Sequence, residues 1–157
     1  MSLYPFFVWC NDTAVAATIR ESVWLFPVIE VFHLLAMSLL GGALLIVDFR
    51  LLGVGLSNTS LRRLADETLV WWKTGLGVAV VSGVLLFLSE ATKCYETPLF
   101  WWKLDLLGLA IVFTLFVRSR WTRRDDAAPS LTSRLVGATS IGLWLSVALA
   151  GRGIGFW

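Results

Sequence analysis

The sequence predicts an all-α integral membrane protein, a four-helix bundle with a short N-terminal interfacial helix, and two observations carry that expectation. Hydrophobic residues make up 57% of the 157 and charged residues only 15%, well below the roughly one quarter charged of a soluble domain. The apolar residues also gather into four stretches, about 25–50, 69–90, 99–118 and 134–152. Each comes close to the roughly 17 to 25 residues that cross about 30 Å of hydrocarbon. Little chain is left over, so residues 1–157 are expected to form a single transmembrane domain.

The elements follow in order. Asn11 or Asp12 is placed to cap a short helix running to Trp24, with Pro27 in the first turn of the membrane helix behind it. Thr18, Arg20, Glu21 and Ser22 alternate there with Ala17, Ile19 and Val23, the pattern of a segment over 11–24 lying along the membrane surface. It serves either as a passive interfacial anchor or as a lid over the bundle. No basic region precedes the first apolar run and no small-residue cleavage site ends it, so that run is expected to be a retained helix and not a signal peptide.

The first connection opens with Gly53, Gly55, Ser57 and Asn58 and offers Ser60 as a cap for a short amphipathic helix. Arg62 and Asp66, and Arg63 and Glu67, stand at ion-pair spacing on it. Gly75, Ala79 and Gly83 repeat every four residues in the second span, and Ser38 and Gly42 do so in the first, so neighbouring helices are expected to approach closely there. In the second connection Asp125, Asp126, Pro129 and Ser130 mark the break before the last span. That span is the shortest and carries Ser140, Gly142 and Ser146, yet Trp144 and its leucines favour a crossing over a re-entrant loop.

Charge orients the bundle. Arg50, Arg62, Arg63 and Lys73 gather in the first connection, and Arg118, Arg120, Arg123, Arg124 and Arg134 in the second. The opposite side has Arg20, Lys93, Lys103 and Arg152. The excess of Lys and Arg places the two connections in the cytoplasm and both termini outside. Trp24, Trp101, Trp102 and Trp157 then form an outer aromatic belt, and Trp71, Trp72 and Trp121 an inner one. The arginine run from Arg118 to Arg124 has no aromatic platform beside it, so its expected contact is anionic lipid and not nucleic acid. Asp48 is expected to pair with Lys73 across the first connection.

Cys10 and Cys94 fall on the same outer side, where an oxidising compartment would permit a disulfide between them; separate thiols in apolar surroundings are the alternative. Their spacing is no zinc motif. Serine beside histidine, a glycine-rich phosphate loop and HExxH are all missing, which argues against hydrolytic chemistry.

One constellation carries chemistry. Glu30, His33 and Met37 occupy neighbouring positions of one helical face. The topology brings Glu90, Lys103 and Asp105 to a similar outer depth. Titratable groups inside a membrane answer to a partner or to a function. Glu30 and Asp105 are placed to exchange protons or pair with Lys103, and neutral His33 to donate to one group and accept from another. Such a set suits a proton relay, a quinone headgroup or a heme propionate. It is equally satisfied by structure alone, with Lys103 snorkelling and His33 bridging two helices. As a heme-iron ligand His33 would hold a five-coordinate heme or share one with the second His33 of a symmetric partner, because Met37 one turn away cannot take the opposite face of the same porphyrin. Met1 and Met37 are too few for a thioether copper relay.

The run Glu30-Val31-Phe32-His33-Leu34-Leu35-Ala36-Met37 and the stretch from Gly42 to Gly53 resemble the first helix of an uncharacterised family of small four-helix bacterial inner-membrane proteins. Thr74-Gly75, the run from Gly83 to Glu90, and Phe100 to Lys103 look like that family's second and third helices. A more distant likeness, carried by His33 ahead of a small-residue stretch, is to copper-resistance D and cytochrome b561-like membrane proteins. It implies copper transport or heme-mediated electron transfer, although the further histidines of a two-ligand heme bundle are missing.

These observations together lead to an expected role as a structural or auxiliary subunit of a larger inner-membrane assembly, one concerned with electron transfer in its most specific form. A heme- or quinone-binding redox protein is the first alternative. A small-solute or ion transporter acting as an oligomer is the second. Membrane lipids and other subunits, or copies of the same chain, are the expected partners.

Overall fold

The computed structural model describes residues 3–56, 58–123 and 130–156. Met1, Ser57, Arg124, Asp125, Asp126, Pro129 and Trp157, to which the sequence assigns roles, lie outside the described residues. Two short helices, α1 (Tyr4–Asn11) and α2 (Ala14–Glu21), precede α3 (Leu25–Leu52) and α4 (Leu61–Ser89). The short α5 (Ala91–Glu96) leads into α6 (Pro98–Val112), which continues through a π-helical stretch (Phe113–Arg118) into α7 (Ser119–Thr122); α8 (Leu131–Ile154) ends the bundle.

Four helices, Leu25–Leu52, Leu61–Ser89, Pro98–Thr122 and Leu131–Ile154, are long and apolar enough to cross a membrane. Their surfaces fit that medium, since Leu34, Leu35, Val81, Leu109, Phe116 and Leu149 are all exposed on the outside of the bundle, where water would penalise them. The fold is an all-α membrane helical bundle.

Successive long helices run antiparallel. Both described termini therefore lie at one end, called here the terminal end, and both connections at the other, the loop end. α3 packs along α4 and α8, and α8 along α6, while α4 and α6 barely touch. Small residues set the closest approach. A Cβ added at Gly75 would lie 2.8 Å from the Leu40 nitrogen and 3.0 Å from the Ala36 carbonyl, and one at Gly137 would lie 2.9 Å from the Asp48 carbonyl. Backbone thus meets backbone along α3. The stripe expected in α4 packs inward, with Gly75 and Ala79 buried. Its counterpart in α3 does not: Ser38 and Gly42 are exposed and Gly42 has open space beside it.

Leu40, Leu44, Trp72, Ala110, Trp144 and Val147 form the central core, drawn from all four long helices. Trp72 is thus a core residue and not a member of an aromatic belt, whereas Trp71 beside it is exposed. Trp24 and Trp102 are exposed at the terminal end. Ser140 does not interrupt α8, because its hydroxyl turns into the bundle.

Three local expectations change. The cap of α2 is Thr13, whose Oγ1 accepts from the Ala16 N–H at 3.3 Å, and not Asn11 or Asp12. Those two fall where α1 ends, so the segment forms two helices instead of one. Ser60 caps as expected, accepting from Arg63 N–H at 3.3 Å, but the helix it starts runs unbroken into the second span. No Gly or Pro lies between Leu61 and Thr74 to end it. Of the two expected ion pairs there, Arg63–Glu67 forms at 2.7 Å and no salt bridge joins Arg62 to Asp66. At the other end of that connection Gly53, at φ 78°, closes α3, with its N–H and that of Val54 bonded to the Arg50 and Phe49 carbonyls. This is the paired C-terminal motif that a left-handed glycine permits.

Candidate functional site

α3 carries Glu30, His33 and Met37 on adjoining turns, but the bundle separates them. Glu30 is exposed, Met37 is half-buried and His33 turns toward α4. His33 Nδ1 lies 2.9 Å from Ser82 Oγ. The Ser82 hydroxyl spends its one proton on the Val78 carbonyl at 2.6 Å, so Oγ accepts and the imidazole donates through Nδ1–H. In that tautomer Nε2 is the acceptor nitrogen of the ring. Gly83 supplies the room, since a Cβ there would stand 3.2 Å from His33 Cε1.

Lys103 comes from α6 and is half-buried. Its stem lies over Gly151 of α8, where an added Cβ would meet Cε at 3.3 Å and Nζ at 3.4 Å. The Lys103 charge acts on both His33 and Cys94, and that of Glu30 on His33. Helices α3 and α6 and the α5 turn thereby direct a histidine, a lysine and a thiol toward the terminal end. The expected carboxylates do not close this set. Asp105 lies two residues beyond Lys103, hence on another side of the helix, and is exposed like Glu30. No salt bridge joins Lys103 to either.

Above these groups an aromatic cluster ties the N-terminal helices down. Phe7 is buried with its ring 5.0 Å from that of Tyr95 and 5.4 Å from that of Phe87, and Phe87 stacks on Phe100 at 5.4 Å. Arg20 of α2 donates to the Ser89 carbonyl at 3.2 Å, so α2 is fastened to the end of α4. Cys10 and Cys94 are both buried here as free thiols, and no disulfide joins them. Burial pushes the Cys94 thiol up to about 11, with Glu90 adding to the shift.

A model of a family of unknown function, DUF6644, matches residues 6–157. The chain belongs to that family. No curated protein and no solved structure matches it.

In this DUF6644 chain a second polar constellation lies buried toward the loop end. Asp48 is 1% exposed. Its Oδ1 accepts from Arg118 Nε at 2.6 Å and its Oδ2 from the Ser140 hydroxyl at 2.7 Å, while Arg118 Nη2 reaches the Leu44 carbonyl at 3.2 Å. Asp48 therefore pairs with Arg118 and not with Lys73, which is exposed on α4. One turn away Trp144 Nε1 donates to Thr114 Oγ1 at 3.1 Å. With both carboxylate oxygens satisfied, this network locks α3, α8 and the π-helical stretch together, a structural use of charge in a membrane interior.

Ser82 and Gly151 escape the sequence reading, which holds Gly83 only as part of a packing repeat, Arg118 only as a topology charge and Ser140 only as a polar position of the last span. The one visible signal is a serine set directly before the last glycine of the Gly75–Ala79–Gly83 repeat. Chemically, the terminal-half site offers an imidazole, at His33, and a cation, at Lys103. No group of three His, Cys, Asp or Glu residues suited to a metal ion occurs among the described residues.

Proposed function

We propose that the chain is a membrane-embedded subunit of a larger assembly in a bacterial inner membrane, with both termini periplasmic and the arginine-bearing connections cytoplasmic. It docks laterally through the carboxylates of Glu30 and Asp105. The single observation that carries this reading is that Asp105 is exposed on α6 between exposed Leu104 and Leu109, with no salt bridge to it. Glu30 stands likewise between exposed Val28 and Val31 on α3. A carboxylate in hydrocarbon costs roughly 2.5–3.5 kcal/mol near the centre of a helix, less toward its end. A partner helix offering a lysine, arginine or amide donor at that depth removes the cost.

Photo-crosslinking from Leu104 in intact membranes tests the docking face, with the equally exposed Leu149 of α8 as reference. Adducts of fixed mass from Leu104 and only lipid adducts from Leu149 are expected. Lipid adducts alone from both positions would overturn the reading.

A redox role for the same chain is supported by a separate observation, the 2.9 Å hydrogen bond between His33 Nδ1 and Ser82 Oγ, which orients the imidazole. Ligating histidines are oriented in this way through their other ring nitrogen. Nε2 would then supply one ligand to a heme iron or accept from a quinol hydroxyl, with Lys103 nearby to meet a carboxylate or semiquinone charge. A Soret band in gently purified protein that disappears in His33→Ala is expected of the heme form, and a quinone co-extracted with wild type but not with His33→Ala of the other. A colourless preparation without bound quinone would remove this reading and leave the subunit role standing.

A further inference from the structure

The gap that α4 and α6 leave at the loop end is a cavity of about 380 Å³. Its lining is sorted by chemistry. Among the described residues, Arg62, Arg118 and Arg123 bring three guanidinium groups against the one carboxylate of Asp66, and Ser119 and Thr122 add hydroxyls. Leu69, Leu115 and the Trp72 ring provide an apolar floor. Arg118 spends part of its charge on Asp48, whereas Arg62 and Arg123 are exposed and form no salt bridge with a described residue. Trp72 adds an independent sign: its indole N–H is buried and finds no acceptor among the described residues, a state buried polar groups rarely keep.

We propose that this cavity binds the headgroup of an anionic glycerophospholipid, with the phosphate among Arg62, Arg118 and Arg123, an ester carbonyl of the glycerol accepting from the Trp72 indole N–H, and the first methylenes of the acyl chains against Leu69 and Leu115. A polar lining rich in arginine is what a phosphate diester selects, and an apolar floor is what a free anion has no use for. The level is also that of headgroups, because α4 begins at Leu61 with exposed Arg62, Arg63, Asp66 and Glu67. Basic pockets between membrane helices commonly hold such lipids. The site stands apart from Glu30, Asp105 and His33, which lie toward the opposite end, so it does not depend on the proposed docking.

The test uses the full chain in lipid nanodiscs of phosphatidylcholine, titrated with phosphatidylglycerol, and reads the shift in Tm and the lipid retained in native mass spectra. Phosphatidylglycerol should raise Tm and stay bound. Arg62→Ala and Arg123→Ala should each weaken that binding roughly fivefold, the effect of about one lost basic contact near an anionic surface, while Arg63→Ala and Arg120→Ala, exposed at the same end, leave it unchanged. Both pairs remove exposed arginines, so all four variants are expected to fold. Equal losses in all four would show diffuse surface attraction and overturn the site. Stabilisation by inorganic phosphate matching that by phosphatidylglycerol would assign the cavity to a free anion and overturn the lipid.

Discussion

Arg118 donates to Asp48 across 2.6 Å inside the bundle, joining residues 70 apart in the chain. Removing one partner leaves an uncompensated charge in an apolar interior, a loss of about 3–5 kcal/mol. Asp48→Leu and Arg118→Leu should each lower thermal stability by that order in lipid nanodiscs, followed by circular dichroism. The double substitution should lose clearly less than the sum, since no orphan charge remains. Strict additivity would mean that the pair contributes nothing as a pair.

Glycine 75 and glycine 42 give an internal comparison. Gly75→Ala forces a methyl against the Leu40 and Ala36 backbone, and overpacking of this kind costs about 1–3 kcal/mol. Gly42→Ala meets open space and should be neutral or stabilising, by up to about 1 kcal/mol from helix propensity. Thermal unfolding of the two variants under the same conditions checks the sign. Equal destabilisation of both would contradict the α3–α4 register described above.

Cys94 should behave as a buried thiol. In a Cys10→Ala background its reaction with a small maleimide should be slow at pH 8 and rise about tenfold per pH unit as the thiolate fraction grows, levelling off near the native value of about 11. The sign for stability follows. An unfolded thiol ionises near 9, so between 9 and 11 the unfolded state gives up a proton that the native state keeps. Stability from the neutral thiol is therefore complete below pH 9 and is lost as pH rises through 11. Labelling that saturates near pH 9 in the native protein would show Cys94 to be solvated.

The spans were legible because composition and length report directly on the solvent a helix meets. Chain order also fixes depth, which is why His33 and Lys103 do reach the same end of the bundle. Rotation about each helix axis was not legible. The sequence of α6 places Lys103 and Asp105 near one level, but only packing against α8 decides that Lys103 lies over Gly151 while Asp105 faces outward. Asp48 had a nearer candidate in Lys73, and the choice of Arg118 rests on where the π-helical stretch and Ser140 stand in three dimensions. Ser82 is silent for another reason: a serine in an apolar helix ordinarily bonds its own preceding turn, as Ser82 does with Val78, and its second contact with His33 leaves no mark in the local pattern.

The most direct test of the subunit role is the particle mass of the chain extracted in native lipid, compared between wild type and Asp105→Leu. Leucine removes the carboxylate through which the proposed partner would be held, so on this proposal the variant should be at least as stable as wild type and yet leave the assembly. Wild type is expected in a particle containing further protein beyond one 17.4 kDa chain, and Asp105→Leu as the single chain. A wild type already found as the single chain, or an assembly unchanged by the substitution, would contradict the account.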